Sequence, residues 1–172
     1  QINNLKEYGI VDFVFVIGHL GEKIKSYFGD GSKFGIHITY IIEDEPLGSA
    51  GAMYYLKDII KGDSFLYVFG DLLFNIDWDR FINFHNNNNA LITLFTHPNN
   101  HPYDSGLLIT DDDKMVINWL SKEDERPKYY QNIVNAGIHL ISPEILNIDI
   151  NKEKIDLDRD LLKPLCNTGK MY

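Results

Sequence analysis

Two short stretches of this chain carry residue types at spacings that can do chemistry. The first, Ser64 to Asp71, reads Ser-Phe-Leu-Tyr-Val-Phe-Gly-Asp. Phe65 to Phe69 is an almost wholly apolar run without alternation, the pattern of a strand covered on both faces. An acidic residue at the carboxyl end of such a strand sits at the rim where open α/β sheets bind their ligands, and the preceding Gly70 lets another group approach the backbone. Asp71 is therefore the first candidate for a functional residue. Gly-Asp is also common turn chemistry, so a chain-turning role fits its position equally well.

The second stretch, Glu43 to Gly51, reads Glu-Asp-Glu-Pro-Leu-Gly-Ser-Ala-Gly. It follows a strand pattern and opens onto a helical one, so its amide groups and the helix dipole are expected at the carboxyl edge of the sheet. Such a loop can hold an anion or the edge of a base. It is not a Walker loop, because the lysine is missing and the spacing is wrong. Tight packing explains a Gly-rich strand-to-helix turn as well, and Ser49 suits a helix N-cap.

The elements that must position these stretches follow from periodicity. Helices are expected at Ile2 to Tyr8, Glu22 to Phe28, Ala50 to Ile60 and Trp78 to His85, with strands at Val11 to Ile17, Ile36 to Ile42 and Phe65 to Phe69. Strand, helix, strand, helix, strand is the signature of a parallel sheet with helices on both faces. The second half changes texture. Strands are expected at Ala90 to Thr96, Gly106 to Thr110, Val116 to Leu120 and Ile133 to Ile141, with Asp111 to Lys114 as a hairpin turn. Short helices return at Pro143 to Ile148 and Leu157 to Leu165. The whole reads as α/β, a mixed and mainly parallel sheet in a single domain over 1–172.

Composition bounds the partners. With 172 residues and a hydrophobic fraction of 44%, the chain is long and apolar enough to bury a substantial core. A formal net charge of −9 argues against nucleic acid or an anionic membrane surface as the main partner, since no basic stripe offsets phosphate repulsion. An anionic small molecule remains open to it through local donors or a metal. The single cysteine, Cys166, excludes an internal disulfide and suits a reducing cytoplasm, where it packs rather than reacts. No apolar run approaches the length of a membrane-spanning helix, and no signal peptide is visible.

Taken together, these stretches resemble the sugar-1-phosphate nucleotidyltransferases, which move a nucleoside monophosphate from a nucleoside triphosphate onto a sugar 1-phosphate and release pyrophosphate. The likeness runs through Leu5 with Tyr8-Gly9-Ile10, Gly18-His19-Leu20-Gly21 with Ile24, Phe34-Gly35-Ile36 and Tyr40. It continues through Glu45-Pro46-Leu47-Gly48-Ser49-Ala50-Gly51-Ala52, Gly70-Asp71 and Asn135-Ala136-Gly137-Ile138. The segment His97-Pro98 through His101-Pro102-Tyr103-Asp104-Ser105 looks like the subgroup acting on heptose 1-phosphate with GTP, and mannose-1-phosphate guanylyltransferases share most of the rest.

The resemblance implies a Rossmann-like fold and a division of roles. Asp71 would hold the catalytic Mg²⁺, a hard cation that bridges phosphate oxygens. Glu45, Pro46, Leu47, Gly48, Ser49 and Gly51 would line the nucleotide, while Gly106, Asn135 and Gly137 would meet the sugar. For Asn135 and Gly137, a strand residue and a bulge are the alternative. Lys122, in Trp119-Leu120-Ser121-Lys122, would contact phosphate, or else stand as a solvated surface residue. Ser121 occupies the position where the family carries a sugar-binding glutamate.

The resemblance also implies parts that this chain does not show, namely a first strand with an arginine-bearing Gly-rich loop and a second metal-binding aspartate. The chain is therefore expected to be an internal fragment with little turnover of its own. An uncovered strand edge is expected to pair with another chain or a second copy, which makes a homo-oligomer one expected state. A non-catalytic member that binds a nucleotide sugar or a partner subunit is the alternative function.

Overall fold

The computed structural model describes residues 1–101 and 105–172. The 102–104 part of the heptose-like segment lies outside the described residues. The chain opens with α1 (Ile2–Glu7), β1 (Asp12–Ile17), α2 (Gly21–Phe28) and β2 (His37–Ile42). It continues with α3 (Met53–Leu56), β3 (Phe65–Val68) and α4 (Trp78–Asn87), then β4 (Ile92–His97), β5 (Leu107–Thr110), β6 (Val116–Leu120) and β7 (Val134–Ile141). A 3₁₀ turn at Pro143–Asn147, a π-helical stretch at Leu157–Leu162 and α5 (Lys163–Leu165) complete it. No described helix is long and apolar enough to cross a membrane.

The expected mixed α/β class stands, and the pairing divides it into two sheets. β1 and β2 pair in parallel across the α2 crossover, from Asp12↔His37 to Ile17↔Ile42. Among the described strands the parallel ladder is confined to them, and the one further parallel contact is an isolated bridge between Ile92 and Met171. β3 instead runs antiparallel to β7, from Phe65↔Ile141 to Val68↔Ile138, in a sheet ordered β3-β7-β5-β6 with β4 also on β7. The β5–β6 hairpin turns at Asp111 to Lys114, where Asp111 Oδ1 accepts the Met115 N–H at 2.8 Å and Lys114 takes φ 71. Such an aspartate turn, with one residue in the left-handed region, matches the expectation.

Although no ladder joins β1 to β3, the two sheets share cores on both faces. Phe13 of β1 packs with Leu66 and Val68 of β3 on a cluster built from Leu5, Ile76, Trp78, Phe81, Ile138 and Leu140. On the opposite face Val14 packs with Phe65, Tyr67 and Phe69 on the cluster that contains Ile41, Ala50, Met53, Leu56 and Leu157. Successive strand residues point to opposite faces, so each strand supplies both cores. The pattern of Phe65 to Phe69 led to an expectation of full burial, yet every residue of β3 is half-buried. One of its edges has no strand beside it. α4 is built as its sequence suggests, with the Asp77 carboxylate accepting the Arg80 N–H at 3.0 Å as N-cap and Trp78 and Phe81 turned inward. The Trp78 indole N–H donates to Asn4 at 2.9 Å and ties α4 to α1.

The largest departure lies at Ala50 to Ile60, where the sequence suggests a helix of three turns and only Met53–Leu56 is helical. Ser49 is not an N-cap. Its hydroxyl accepts the Leu157 N–H at 2.8 Å, so the group that would have started the helix is engaged elsewhere. With four residues, α3 has no macrodipole of consequence, because the dipole grows with aligned peptide units. The Leu157 to Leu165 segment is likewise mostly π-helical rather than α-helical.

Two outcomes follow from this packing. In an antiparallel pair alternate amides point away from the partner, and the Phe69 N–H donates to Gly137, so Leu66 and Val68 turn theirs toward the unpaired side. Hydrogen exchange followed by NMR should find Leu66 and Val68 faster than Tyr67 and Phe69. The second concerns acid. His139 is fully buried on β7, and burial pulls its imidazole down to about 4, against an ordinary value of about 6.5 in the unfolded chain. Between these values the unfolded state binds the extra proton, so stability falls as pH drops from about 6.5 toward about 4, by at most about 3 kcal/mol. Denaturant melts of His139→Gln across that window should show a shallower slope than the parent.

Candidate active site

The loop at Leu47 to Gly51 takes its shape from a segment over a hundred residues away in sequence. The Ala50 N–H donates to the Ile155 carbonyl at 2.9 Å, and the Ile155 N–H donates back to the Leu47 carbonyl at 2.8 Å. With the Leu157 amide on the Ser49 hydroxyl, these bonds form a clasp between loop and tail segment. Gly48 sits in it at φ +90, its Cα against the Ile155 backbone with no room for a Cβ. From the strand side the Tyr67 hydroxyl donates to the Ser49 carbonyl. Burial, helped by the Glu43 charge, pushes that phenol up to about 12, so it stays a donor at neutral pH. Glu45 and Pro46 are exposed just before the clasp, and Leu47 is half-buried.

A second cluster forms where β7 begins. The register between β4 and β7 shifts between the Leu94–His139 and Thr96–Asn135 pairs, so β7 bulges around Gly137, which takes φ +74. The expected bulge is there. It leaves Asn135 at the sheet end with its amide in a network. Asn135 Oδ1 accepts the Gly137 N–H at 3.1 Å and faces His139 Nε2 at 3.1 Å, while Nδ2 donates toward Asp158 Oδ1 at 3.4 Å. Gly106 lies against the Trp119 indole, one residue before Leu107, which pairs with Val134 next to Asn135. A Cβ at Gly137 would stand 2.7 Å from the Phe69 ring, so the bulge also abuts the end of β3.

Asp71 lies three residues beyond Val68, the last residue of that strand. Its side chain is exposed in a turn whose carbonyls at Phe69 and Gly70 accept the Gln1 amide at 3.4 and 3.2 Å. β3 thus carries Tyr67 beneath the loop, with Asp71 just past its end, and β7 brings Asn135 and Gly137 alongside. Lys122 is placed differently. Its ammonium stands in solvent, 3.7 Å from Glu123, and its side chain is 64% exposed. Ser121 is already engaged, its hydroxyl accepting from Lys163 Nζ at 3.1 Å and its N–H donating to Asp124 at 2.7 Å.

Two acidic residues beside the site have no role in the sequence analysis, although Glu43 opens the stretch singled out there. Glu43 lies at the carboxyl end of β2, its N–H extending the ladder to the Ile17 carbonyl at 2.8 Å, and one carboxylate oxygen is buried with no hydrogen-bond partner among the described residues. The strand-end rule that singled out Asp71 applies to Glu43 equally and could have found it. Asp158, at the surface in the π-helical stretch, has its carboxyl raised above the ordinary value by the protein around it and by the Asp156 charge. No local signal marks it, because only the fold brings it to Asn135. Among the described residues no group of three or more His, Cys, Asp or Glu is gathered to hold a metal. A single exposed strand-end carboxylate fits Mg²⁺, which takes one or two carboxylates and completes its shell with water and substrate phosphates.

Comparison with known proteins bears on the family and the fold. Curated relatives include a UTP--glucose-1-phosphate uridylyltransferase of Synechocystis sp., 27% identical over 96% of this chain and 46% of its own length. A probable mannose-1-phosphate guanylyltransferase 1 of Oryza sativa subsp. japonica is 30% identical over 86% of this chain and 41% of its own. The chain spans about half the length of the curated relatives it matches. In fold it is similar to HddC from Yersinia pseudotuberculosis, solved also as a complex with GMP-PN, with TM-scores of 0.73 and 0.72 at 21% identity. These superpositions cover 92% and 94% of this chain and 68% of the other. The family model described as nucleotidyl transferase matches residues 1–171. With that match running almost from end to end, the chain belongs to the nucleotidyl transferase family.

Proposed function

We propose that the chain is the catalytic-rim portion of a sugar-1-phosphate guanylyltransferase acting on a mannose- or heptose-type sugar, a single domain working in the cytoplasm. The observation that carries the reading is that β3 and the residues just after it link three parts: Tyr67 bonds the clasped loop at Ser49, the Phe69 N–H donates to Gly137 in the Asn135 bulge, and Asp71 follows two residues later. A nucleoside triphosphate and a sugar 1-phosphate need just such neighbouring subsites.

In this reading Glu45, Pro46, Leu47, Gly48, Ser49 and Gly51 line the base. Glu43 favours guanine, whose N1–H and N2 amino group present adjacent donors to a carboxylate whose buried oxygen otherwise has no partner among the described residues. Gly106, Asn135 and Gly137 form the sugar side, and Lys122 swings from Glu123 to the sugar phosphate on its long stem. Asp71 is the residue that would hold Mg²⁺, which neutralises phosphate charge when bound. No covalent nucleophile is required. A phosphate oxygen of the sugar 1-phosphate forms a bond to the α-phosphorus in line, the bond from that phosphorus to the β-phosphate oxygen breaks, and pyrophosphate leaves. The contribution of the chain is position and charge.

Asp71→Asn keeps the side chain's size and removes the charge. Pyrophosphate release with GTP and mannose 1-phosphate, or the Mg²⁺-dependent part of GTP affinity measured by calorimetry, should fall at least about 10 to 100-fold while the melting temperature holds. An unfolded variant whose folded fraction keeps the parental Mg²⁺ dependence would make Asp71 a turn residue. Glu43→Gln should erode the preference for GTP over UTP by about tenfold, because the amide puts a donor where guanine offers one. Asn135→Ala should weaken binding of mannose 1-phosphate and leave that of GTP intact. Tight nucleotide-sugar binding by a longer gene product that never turns over would instead favour the non-catalytic reading.

A further inference from the structure

His139 takes no part in the chemistry above, yet its ring is fully buried and contacts the one amide on the sugar side. Nε2 lies 3.1 Å from Asn135 Oδ1, and Nδ1 lies 3.3 Å from the Tyr67 carbonyl oxygen. Both of those oxygens are acceptors. Burial keeps the imidazole neutral, and a neutral ring has one N–H, so it can donate to only one of the two.

Asn135 decides which. Its Oδ1 already accepts the Gly137 N–H at 3.1 Å, and its Nδ2 donates toward Asp158 Oδ1 at 3.4 Å. Were the proton on Nδ1, Nε2 would present a lone pair, and the amide would have to turn its NH₂ inward. That turn breaks the Gly137 bond and sets Oδ1 against the Asp158 carboxylate. With the proton on Nε2, every contact of the amide runs from donor to acceptor. The Tyr67 carbonyl loses little, since Tyr67 faces His139 in the β3–β7 ladder and has a backbone donor there.

We propose that His139, donating from Nε2, is a positioning residue that pins the Asn135 amide with its NH₂ turned outward beside the Asp158 carboxylate. The pinned pair offers a donor and an acceptor side by side, the match for two neighbouring hydroxyls of a sugar or for one hydroxyl that accepts from Asn135 and donates to Asp158. This rests on the reading of Asn135 as a sugar contact. A leucine at 139 would leave Oδ1 short of one donor and free the amide to flip. A glutamine could replace the donor.

The test combines ring tautomer with ligand binding. Nitrogen NMR of the chain labelled at histidine should show His139 protonated on Nε2. Calorimetry with mannose 1-phosphate should give affinity about tenfold weaker for His139→Leu, the cost of an unsatisfied partner, with GTP affinity unchanged and most of the loss recovered in His139→Gln. An Nδ1-protonated ring overturns the proposal. So does a His139→Leu variant that keeps the parental sugar affinity while Asn135→Ala loses it. If Asn135→Ala itself binds the sugar phosphate like the parent, the sugar reading fails instead, and the tautomer still decides whether the pin exists. Should His139→Leu not fold, His139→Gln and the tautomer carry the test.

Discussion

The rest of the site depends on the backbone clasp between Leu47–Ala50 and Ile155–Leu157. Two reciprocal amide bonds and one hydroxyl bond hold a Gly-rich loop in a single shape, with Gly48 at a φ that favours glycine and packed where no side chain fits. Loops usually carry function on a scaffold that holds them, and here the scaffold is a distant piece of the same chain. Ser49 shows the consequence. Its hydroxyl serves Leu157 and its carbonyl serves Tyr67, so the helix that its position suggests begins late and is short. Anion binding at that loop then has to come from individual groups, since a four-residue helix supplies no useful dipole.

A second constraint comes from the sheets. β1 and β3 contribute side chains to the same two cores while leaving backbone edges unpaired, so apolar burial joins what hydrogen bonds do not. β3 carries more of the site than any other element. It has Tyr67 under the loop, and just past its end come Phe69 against Gly137 and then Asp71. Its antiparallel pairing with β7 sets the end of β3 against Ile138, and the Phe69 N–H continues the contact to Gly137 in the Asn135 bulge. A polar network runs there from the buried His139 through the half-buried Asn135 to Asp158 at the surface. Buried polar groups that find partners rigidify and specify a geometry, and here the geometry belongs to a group at the site.

Much of this was legible in residues alone, because local rules act over short spans. The aspartate cap of α4, the Asp111 to Lys114 turn, the strand patterns and the Gly70-Asp71 strand end follow from side chains acting within a few residues of themselves. The bulge at Gly137 was legible as an alternative for the same reason. The failures have a common form. Ser49 reads as a cap because its local options favour one, and a competing donor at Leu157 won. Lys122 reads either as a phosphate contact or as a solvated surface residue, and no neighbouring residue decides between the two. Asp158 carries no local mark at all.

By itself, then, the sequence determined most of the strands and helices and the family, because periodicity, caps and Gly-rich motifs are written in neighbouring residues. Only the tertiary structure decided that β3 joins the antiparallel sheet, that residues 155–157 bond to residues 47–50, and that one Glu43 oxygen is buried without a partner among the described residues. The physical reason is that strand pairing and hydrogen-bond satisfaction are competitions among groups far apart in sequence. Which donor reaches Ser49, or which acid reaches Asn135, is settled by packing rather than by any stretch of residues read alone.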